Sequence, residues 1–327
     1  MGLISDTLLT HLPSKRKHTP SGWISFNAPC CDDKRQRGGF IVNGGDAVSY
    51  HCFNCQFKAS WQPGRPVSQK MSKLMRDLGI SDDTISQLRL EALRLKGSSD
   101  VVIKTVVPTF EVRALPPESE LITSLLDHIP DKLVPVLEYL HSRKLYLEDY
   151  PFYWTPKVGF SNRVIIPFLK DNVIVGYTAR AIGDTKPKYI SEQQPGYVFN
   201  LDKQHNARSF VIVCEGPFDA ISIDGCALLG AEIKDSQNWL LKQLGKEIVL
   251  VPDRDEAGKL TVEQALEYGW SVSMPNWPTG IKDVNDAICK IGRLATLYLI
   301  ASAKESNNLK IQLKAKKWFK ENDEETN

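Results

Sequence analysis

The stretch that decides the fold is an apolar run followed directly by acidic residues: Phe210-Val211-Ile212-Val213-Cys214, then Glu215-Gly216-Pro217-Phe218-Asp219. Later in the chain a second run, Ile248-Val249-Leu250-Val251, leads into Asp253-Arg254-Asp255. Short apolar runs rich in β-branched residues are typical of buried strands. We therefore expect both sets of carboxylates to emerge at the carboxyl ends of neighbouring strands, where an α/β sheet builds its sites.

A third acidic segment, Lys282-Asp283-Val284-Asn285-Asp286, lies further along the chain. Carboxylates gathered at one sheet edge repel one another, and a hard divalent cation with oxygen ligands is the usual compensation. Magnesium is therefore the expected metal. An aspartate after a strand is also a common helix N-cap, so the order and spacing of the three segments carry this prediction rather than any one of them.

The order of these segments, E-G-x-x-D, a strand, D-x-D and a later acidic turn, resembles the Toprim domain shared by bacterial-type primases, topoisomerases and some nucleases. The resemblance implies a catalytic site in which Asp253, Asp255 and Glu215 hold magnesium. The other carboxylates would complete or orient this shell, bind a second ion, or position a triphosphate through water. The full set is Glu215, Asp219, Asp253, Asp255, Asp283 and Asp286.

Cysteines are concentrated near the amino end. Cys52 and Cys55 have the two-residue gap that lets two thiolates reach one zinc ion, and Cys30-Cys31 lies about twenty residues earlier. Between them, residues 38–51 indicate two strands joined by an Asn-Gly-Gly turn at 43–45. This layout predicts a zinc ribbon in which one structural zinc supplies folding energy, with free thiols as the alternative. Two further cysteines, Cys214 and Cys226, lie in apolar runs and are expected in the core.

The ribbon resembles the zinc-binding domain of bacterial and phage primases, whose first ligand pair is C-P-x-H or C-P-x-C. This chain reads Ala28-Pro29-Cys30-Cys31, which places Ala28 where the first ligand belongs. We therefore expect Cys30 to be the fourth ligand, with His18 and His51 as the alternatives. The predicted zinc ligands are Cys30, Cys31, Cys52 and Cys55.

Aromatic and basic residues interleave around the ribbon. Aromatic faces can stack on exposed bases while basic side chains follow the phosphate backbone, which is a common way of gripping single-stranded DNA. Some of these aromatic side chains must instead form the core, because so small a domain has little else to bury. The candidates for DNA contact are Trp23, Arg35, Arg37 and Trp61.

A basic hairpin precedes the acidic half of the chain, with predicted strands at 163–170 and 173–180 and a turn at Asp171-Asn172. Together with the signatures Y-L-x-x-R at 139–143, R-V-I-x-P at 163–167 and P-K-Y at 187–189, it resembles the amino-terminal basic subdomain of a primase RNA polymerase core. The resemblance implies that basic side chains facing the acidic site hold template and triphosphate. The candidates are Arg163, Arg180, Lys188 and Lys282.

The chain has 327 residues, of which 42% are apolar and 24% charged, with a net charge of +2. These values are ordinary for a soluble globular protein. No apolar run approaches the roughly 20 residues of a membrane span, and the amino end lacks a basic region followed by an apolar stretch. We therefore expect a cytoplasmic protein, located in the bacterial host if the chain is phage-encoded.

The predicted fold is multi-domain, with a small β zinc ribbon, an α+β basic subdomain and an α/β, Rossmann-like Toprim domain. For the carboxyl-terminal segment, which is expected to be a tail, a docking helix over residues 309–319 is the alternative. The boundaries are 1–66 for the ribbon, 67–96 for a helical segment, 97–118 for a linker, 119–208 for the basic subdomain, 209–300 for the Toprim domain and 301–327 for a basic, then acidic, tail.

These resemblances imply a DNA primase, closest to the compact primases of T-even-like bacteriophages, that makes short RNA primers on single-stranded DNA by magnesium-dependent nucleotidyl transfer. The sequence lacks the Walker A pattern G-x-x-x-x-G-K-[ST]. We therefore expect a separate hexameric replicative helicase as a partner. The other expected partners are the single-stranded DNA template, ribonucleoside triphosphates and a single-strand binding protein. A Toprim nuclease and a non-catalytic zinc-ribbon DNA-binding factor are the alternative functions.

Overall fold

The protein is described by a computed structural model that covers residues 2–43, 46–97, 107–204 and 207–325. The chain divides into two compact units, residues 1–104 and residues 105–327. Two sequence predictions lie partly outside the described residues, namely the Asn-Gly-Gly turn at 43–45 and the linker at 97–118.

The first unit consists of an antiparallel sheet and three helices. Its elements are α1 (Leu3–His11), β1 (Arg16–His18), β2 (Ile24–Phe26), β3 (Gly38–Val42), β4 (Val48–Cys52), β5 (Lys58–Trp61), α2 (Gln69–Asp77) and α3 (Asp82–Gly97). The five strands pair in chain order, from β1 to β5. The two strands predicted for the ribbon are β3 and β4, and the structure adds three more.

The sheet and the helices of the first unit share one hydrophobic core. Phe26, Phe40 and Tyr50 from the sheet belong to the same buried cluster as Leu8 of α1 and Met71 of α2. The sequence treats residues 67–96 as a helical segment separate from the ribbon, whereas the structure packs α2 and α3 into the core of the ribbon unit. The ribbon therefore has more apolar support than its strands alone provide.

The second unit begins with a five-stranded antiparallel sheet. Its elements are β6 (Glu120–Leu121), α4 (Val134–Ser142), β7 (Tyr153–Trp154), β8 (Arg163–Lys170), β9 (Val173–Ala181) and β10 (Tyr189–Glu192). The strand order is β10-β9-β8-β7-β6. The predicted hairpin is confirmed as β8 and β9, and both turn residues, Asp171 and Asn172, have positive φ angles of 51° and 63°. Left-handed conformations at both positions are those of a type I′ turn, in which Asn and Asp are favoured.

A mostly parallel sheet follows in the same unit. Its elements are β11 (Phe210–Cys214), α5 (Pro217–Ile223), β12 (Cys226–Ala227), α6 (Asp235–Lys242), β13 (Glu247–Leu250), α7 (Glu256–Tyr268), β14 (Ser271–Ser273), α8 (Val284–Ile291), α9 (Arg293–Ser302), β15 (Lys304–Glu305) and α10 (Asn308–Glu325). The strand order is β12-β11-β13-β14-β15, with β15 antiparallel to β14. The α/β fold predicted from the two apolar runs is therefore confirmed, and Cys214 and Cys226 are buried in its core.

The carboxyl-terminal segment differs from the prediction. Most of the described part of the expected tail is instead the helix α10, and Ile311, Trp318 and Phe319 of this helix lie in the core that also contains β11 and β13. These three residues are spaced by seven and eight positions, which places them on one face of a helix. The lysines between them mask this pattern in the sequence.

No helix in the described part of the chain is long and apolar enough to cross a membrane.

Candidate functional site

The first two acidic segments lie at the same edge of the parallel sheet. Strands β11 and β13 are parallel neighbours, with Val213 opposite Leu250. Glu215 directly follows the end of β11, and Asp253 comes three residues after the end of β13. The carboxyl ends of neighbouring strands therefore bring these two carboxylates to one edge, as the sequence predicts.

Glu215 and Asp219 are buried, and the carboxylates of the site are close enough to affect one another. Burial raises the pKa of Glu215 to about 7, and the charge of Asp255 adds to this effect. Burial, followed by the charges of Asp219 and Glu215, raises the pKa of Asp253 to about 10. Burial and the charge of Asp283 raise the pKa of Asp219 well above its usual value. A cation among these oxygens would relieve the repulsion, so the donor set fits a hard divalent metal.

Two of the aspartates are also helix caps. Asp255 Oδ1 accepts the N–H of Gly258 at 2.9 Å at the start of α7, and Asp283 Oδ1 accepts the N–H of Asp286 at 2.7 Å at the start of α8. The N-cap alternative from the sequence is therefore correct for both residues. It does not exclude a metal role, because a carboxylate has a second oxygen.

The loop between β13 and α7 is held by close backbone contacts. A Cβ atom at Gly258 would lie only 2.0 Å from the carbonyl oxygen of Asp253, so glycine is required there. The N–H of Arg254 donates to the carbonyl oxygen of Lys282 at 2.9 Å, which joins this loop to the third acidic segment. The side chain of Lys282 is exposed. Gly258 was not among the predicted site residues, although its place three residues after Asp255 is a usable signal.

Arg143 is a site residue that the sequence prediction missed. It directly follows the last residue of α4, and its Nη1 lies 2.7 Å from Asp286 Oδ1. Its Nε is buried and has no hydrogen-bond partner among the described residues. The backbone carbonyl of Arg143 also accepts Asn285 Nδ2 at 2.9 Å. The signal was present, because Arg143 is the arginine of the Y-L-x-x-R signature.

Arg180 and Lys188 lie around the ring of Tyr189. Arg180 Cζ is 4.7 Å and Lys188 Nζ is 5.9 Å from the ring centroid, and Arg180 pairs with Tyr189 between β9 and β10. Nε and Nη1 of Arg180 are buried without a hydrogen-bond partner in the described ranges. Burial raises the pKa of Tyr189, Arg180 opposes this, and the charge of Asp219 adds to it. Arg180 therefore has two buried donors that no described residue satisfies.

Arg163 does not fit its predicted role. Its side chain is only 1% exposed, and it donates from Nε to the carbonyl oxygen of Gly159 at 2.9 Å and from Nη1 to that of Ala179 at 3.3 Å. A side chain committed in this way cannot reach a template without leaving the sheet. The assignment of Arg163 to nucleotide or template binding was therefore wrong, and the residue is part of the interior.

The four cysteines near the amino end converge. Their sulfur atoms all lie within 4.8 Å of one another, with 3.5 Å between Cys30 and Cys55 and 3.6 Å between Cys31 and Cys52. Four thiolates at about 2.3 Å from a tetrahedral zinc are separated by about 3.8 Å, so this arrangement fits the metal. The cluster includes Cys30, the preferred fourth ligand.

The two histidines considered as alternative ligands lie elsewhere. His18 is on the exposed edge strand β1. The ring of His51 packs 4.2 Å from that of Phe53, and its Nε2 is 3.4 Å from Gln56 Oε1. Neither residue belongs to the group of converging ligand atoms, which supports Cys30 over both.

Asp33 supports the loop that contains the first cysteine pair, and the sequence prediction missed it. Its carboxylate accepts the N–H groups of Ala28, Arg35 and Arg37 and the Nε of Arg37, at 2.7–3.0 Å. Burial acts to raise the pKa of Asp33, but these donors hold it well below its usual range. Arg37, a predicted DNA contact, is therefore partly engaged in holding this loop.

The aromatic residues of the ribbon divide into surface and core. Trp61 is 3% exposed and its Nε1 donates to the carbonyl oxygen of Arg65 at 2.7 Å, so its assignment to DNA contact was wrong. Trp23 is half-buried and lies across β3, where a Cβ at Gly39 would be 3.0 Å from its ring. Phe53 is 59% exposed. The alternation of polar and apolar residues in β5 is a signal that could have found the inward orientation of Trp61.

The acidic edge and its sheet define a class of domain. A family model described as Toprim-like matches residues 212–288, a span that contains all six carboxylates. These residues form a Toprim-like domain.

The chain is also similar to bacterial-type DNA primases. It is 28% identical over 163 residues to the DNA primase of Clostridium acetobutylicum, a match that covers 44% of this chain and 27% of that one. It is 33% identical over 157 residues to the DNA primase of Rickettsia bellii, covering 41% and 26% of the two chains. The matches span about a quarter of the length of these curated relatives. The predicted resemblance to bacterial-type primases is confirmed, and the closeness to phage primases stays a prediction.

Among solved structures, the DnaG catalytic core has a TM-score of 0.46 at 19% identity, covering 56% of this chain and 76% of that one.

Proposed function

We propose that this protein is a DNA primase, which synthesises short RNA primers on single-stranded DNA by magnesium-dependent nucleotidyl transfer. The observation that carries the proposal is the ion pair between Arg143 and Asp286, because it joins the basic part of the second unit to the Toprim carboxylates. A polymerase needs both groups, carboxylates for metal and cations for phosphates. The named relatives favour priming over hydrolysis among Toprim activities.

Magnesium is the metal that we assign to the acidic edge, with Glu215, Asp253 and Asp255 as its ligands. When bound, it would offset phosphate charge and favour attack by the 3′ hydroxyl. Asp219 is oriented by the N–H of Asn285, which donates to its Oδ1 at 2.8 Å. In this position Asp219 is buried and can orient the proposed magnesium ligands without facing the solvent itself.

We assign the incoming nucleotide to the basic groups beside this edge. Arg180 has two buried donors without partners among the described residues, and Arg143 has one. Donors of this kind are costly unless a ligand satisfies them, and guanidinium groups match phosphate oxygens well. Lys188 and Lys282 are exposed and would add positive charge at the outer edge of the proposed nucleotide site.

The ribbon unit is proposed to bind the template. Zinc held by Cys30, Cys31, Cys52 and Cys55 would fix the loops that carry exposed groups. Trp23, Arg35 and Phe53 remain available for single-stranded DNA, by stacking and by contact with phosphates. Phe53 is exposed and can stack on a base, whereas Trp61 is buried.

The remaining partners follow from the activity. A primase that serves a replication fork acts with a separate hexameric helicase and with a single-strand binding protein, in the cytoplasm where the DNA is copied.

The test is ribonucleotide incorporation on single-stranded DNA with magnesium and no added primer. The variant is the double substitution Asp253→Asn and Asp255→Asn, because asparagine can still cap α7 while removing both negative charges. We expect short RNA from the wild type and at least about a 100-fold loss in the variant. The exposed Asp127→Asn change is the control and should leave synthesis unchanged. Template cleavage without synthesis would instead indicate a nuclease, and neither activity would favour a binding factor.

A further inference from the structure

The loop that carries two of the proposed magnesium ligands is attached to helix α10. Arg254, between Asp253 and Asp255, has a side chain that is only 4% exposed. Its Cζ lies 5.1 Å from the ring centroid of Trp318, and its Nη2 donates to the carbonyl oxygen of Trp318 at 3.3 Å. The middle residue of the acidic motif is therefore bound to a helix that begins more than fifty residues later.

Trp318 is itself firmly held. Its side chain is 3% exposed, and its Nε1 donates to the carbonyl oxygen of Pro275 at 2.7 Å. The ring of Phe319 packs edge-on against it at 4.9 Å. Both aromatic residues belong to the core cluster that includes β13, the strand that leads into the acidic loop. Trp318 can therefore act as a fixed support for Arg254.

We propose that Trp318 is a positioning residue for the carboxylates of Asp253 and Asp255. Anchoring the residue between them restricts the backbone on both sides, which fixes where their oxygens meet a cation. The interaction also gives the buried guanidinium an aromatic partner. This inference rests on the proposed magnesium site.

The same anchor extends to the third acidic segment. The N–H of Arg254 donates to the carbonyl oxygen of Lys282 at 2.9 Å, next to Asp283. A shift of Arg254 would therefore displace both loops at once. Groups that orient metal ligands from outside typically change metal affinity by about 10- to 100-fold when they are removed.

The experiment measures manganese(II) binding to the full-length, zinc-loaded chain by electron paramagnetic resonance, which reports free manganese without depending on activity. We expect Trp318→Ala to weaken manganese binding about tenfold. Trp318→Phe, which keeps an aromatic face over Arg254, should recover most of the affinity. Phe319→Ala is the matched control, because it removes the adjacent buried ring of the same helix. It should lower the melting temperature but leave the affinity within about twofold of the wild type.

Arg254→Met provides a second route in case Trp318→Ala does not fold. Methionine can pack on the ring of Trp318 but cannot donate to the backbone carbonyl oxygen of that residue. We therefore expect a similar, about tenfold, loss of manganese affinity. If neither Trp318→Ala nor Arg254→Met weakens manganese binding, or if Phe319→Ala weakens it equally, the positioning role is wrong. Asp253→Asn separates this failure from that of the proposed function. If manganese binding does not depend on Asp253, the magnesium site itself is wrong and the positioning role fails with it.

Discussion

Gly258 is the third residue of α7 and packs directly against the loop that carries Asp253. In the Gly258→Ala variant, two effects oppose each other. Alanine stabilises a helix relative to glycine by about 1 kcal/mol. The added Cβ would lie 2.0 Å from the carbonyl oxygen of Asp253, closer than the 3.0 Å below which real contacts essentially never occur. Because that oxygen belongs to the backbone and cannot rotate away, we take the overpacking cost at about 3 kcal/mol.

The overpacking cost is larger than the gain in helix stability, so the free energy of unfolding of the second unit should fall by about 2 kcal/mol. For a unit of this size that corresponds to a melting temperature lower by about 4–8 °C, measured by calorimetry. Priming should also decrease, because the displaced segment includes Asp253. Gly230→Ala is the control, since a Cβ there meets no atom within 4 Å. An unchanged or higher melting temperature for Gly258→Ala would refute this reasoning.

Three further predictions concern other parts of the chain. Asp33→Asn should leave two N–H groups unpaired and destabilise the first unit by about 2–6 kcal/mol in thermal denaturation, whereas the exposed Asp32→Asn should not. Cys30→Ser should abolish the tightly held zinc measured by mass spectrometry of the native protein, and Cys289→Ser should retain it. Arg180→Lys should raise the KM for ribonucleotides by about tenfold in steady-state assays, because lysine cannot reproduce the guanidinium fork.

The acidic edge was predictable because its signals are local. A β-branched run followed by an acidic residue places that residue at a strand end, whichever way the rest of the chain folds. The hairpin turn is similar, since Asp171-Asn172 favours the left-handed conformations that the structure has. The cysteine cluster was also predictable, because it requires only that the pair Cys52 and Cys55 lies close to the earlier pair Cys30 and Cys31.

The predictions that were wrong concern residues whose role depends on whether their side chains are buried. The first six residues of β8, from Arg163 to Phe168, are all buried, so no polar-apolar alternation marks the arginine as an interior residue. In α10, the many lysines conceal the buried face of Ile311, Trp318 and Phe319. Contacts such as those of Asp33 or Arg254 join segments whose proximity no local pattern encodes. Tertiary packing determines these roles.

The most direct test of the central claim is the chemical identity of the product. The full-length protein is incubated with unprimed single-stranded DNA, magnesium and the four ribonucleoside triphosphates, and the new oligonucleotides are analysed by mass spectrometry. Our account predicts short RNA complementary to the template that begins with a 5′ triphosphate, the mark of synthesis started from two nucleotides. RNA lacking that triphosphate, or fragments of the DNA template in its place, would contradict it.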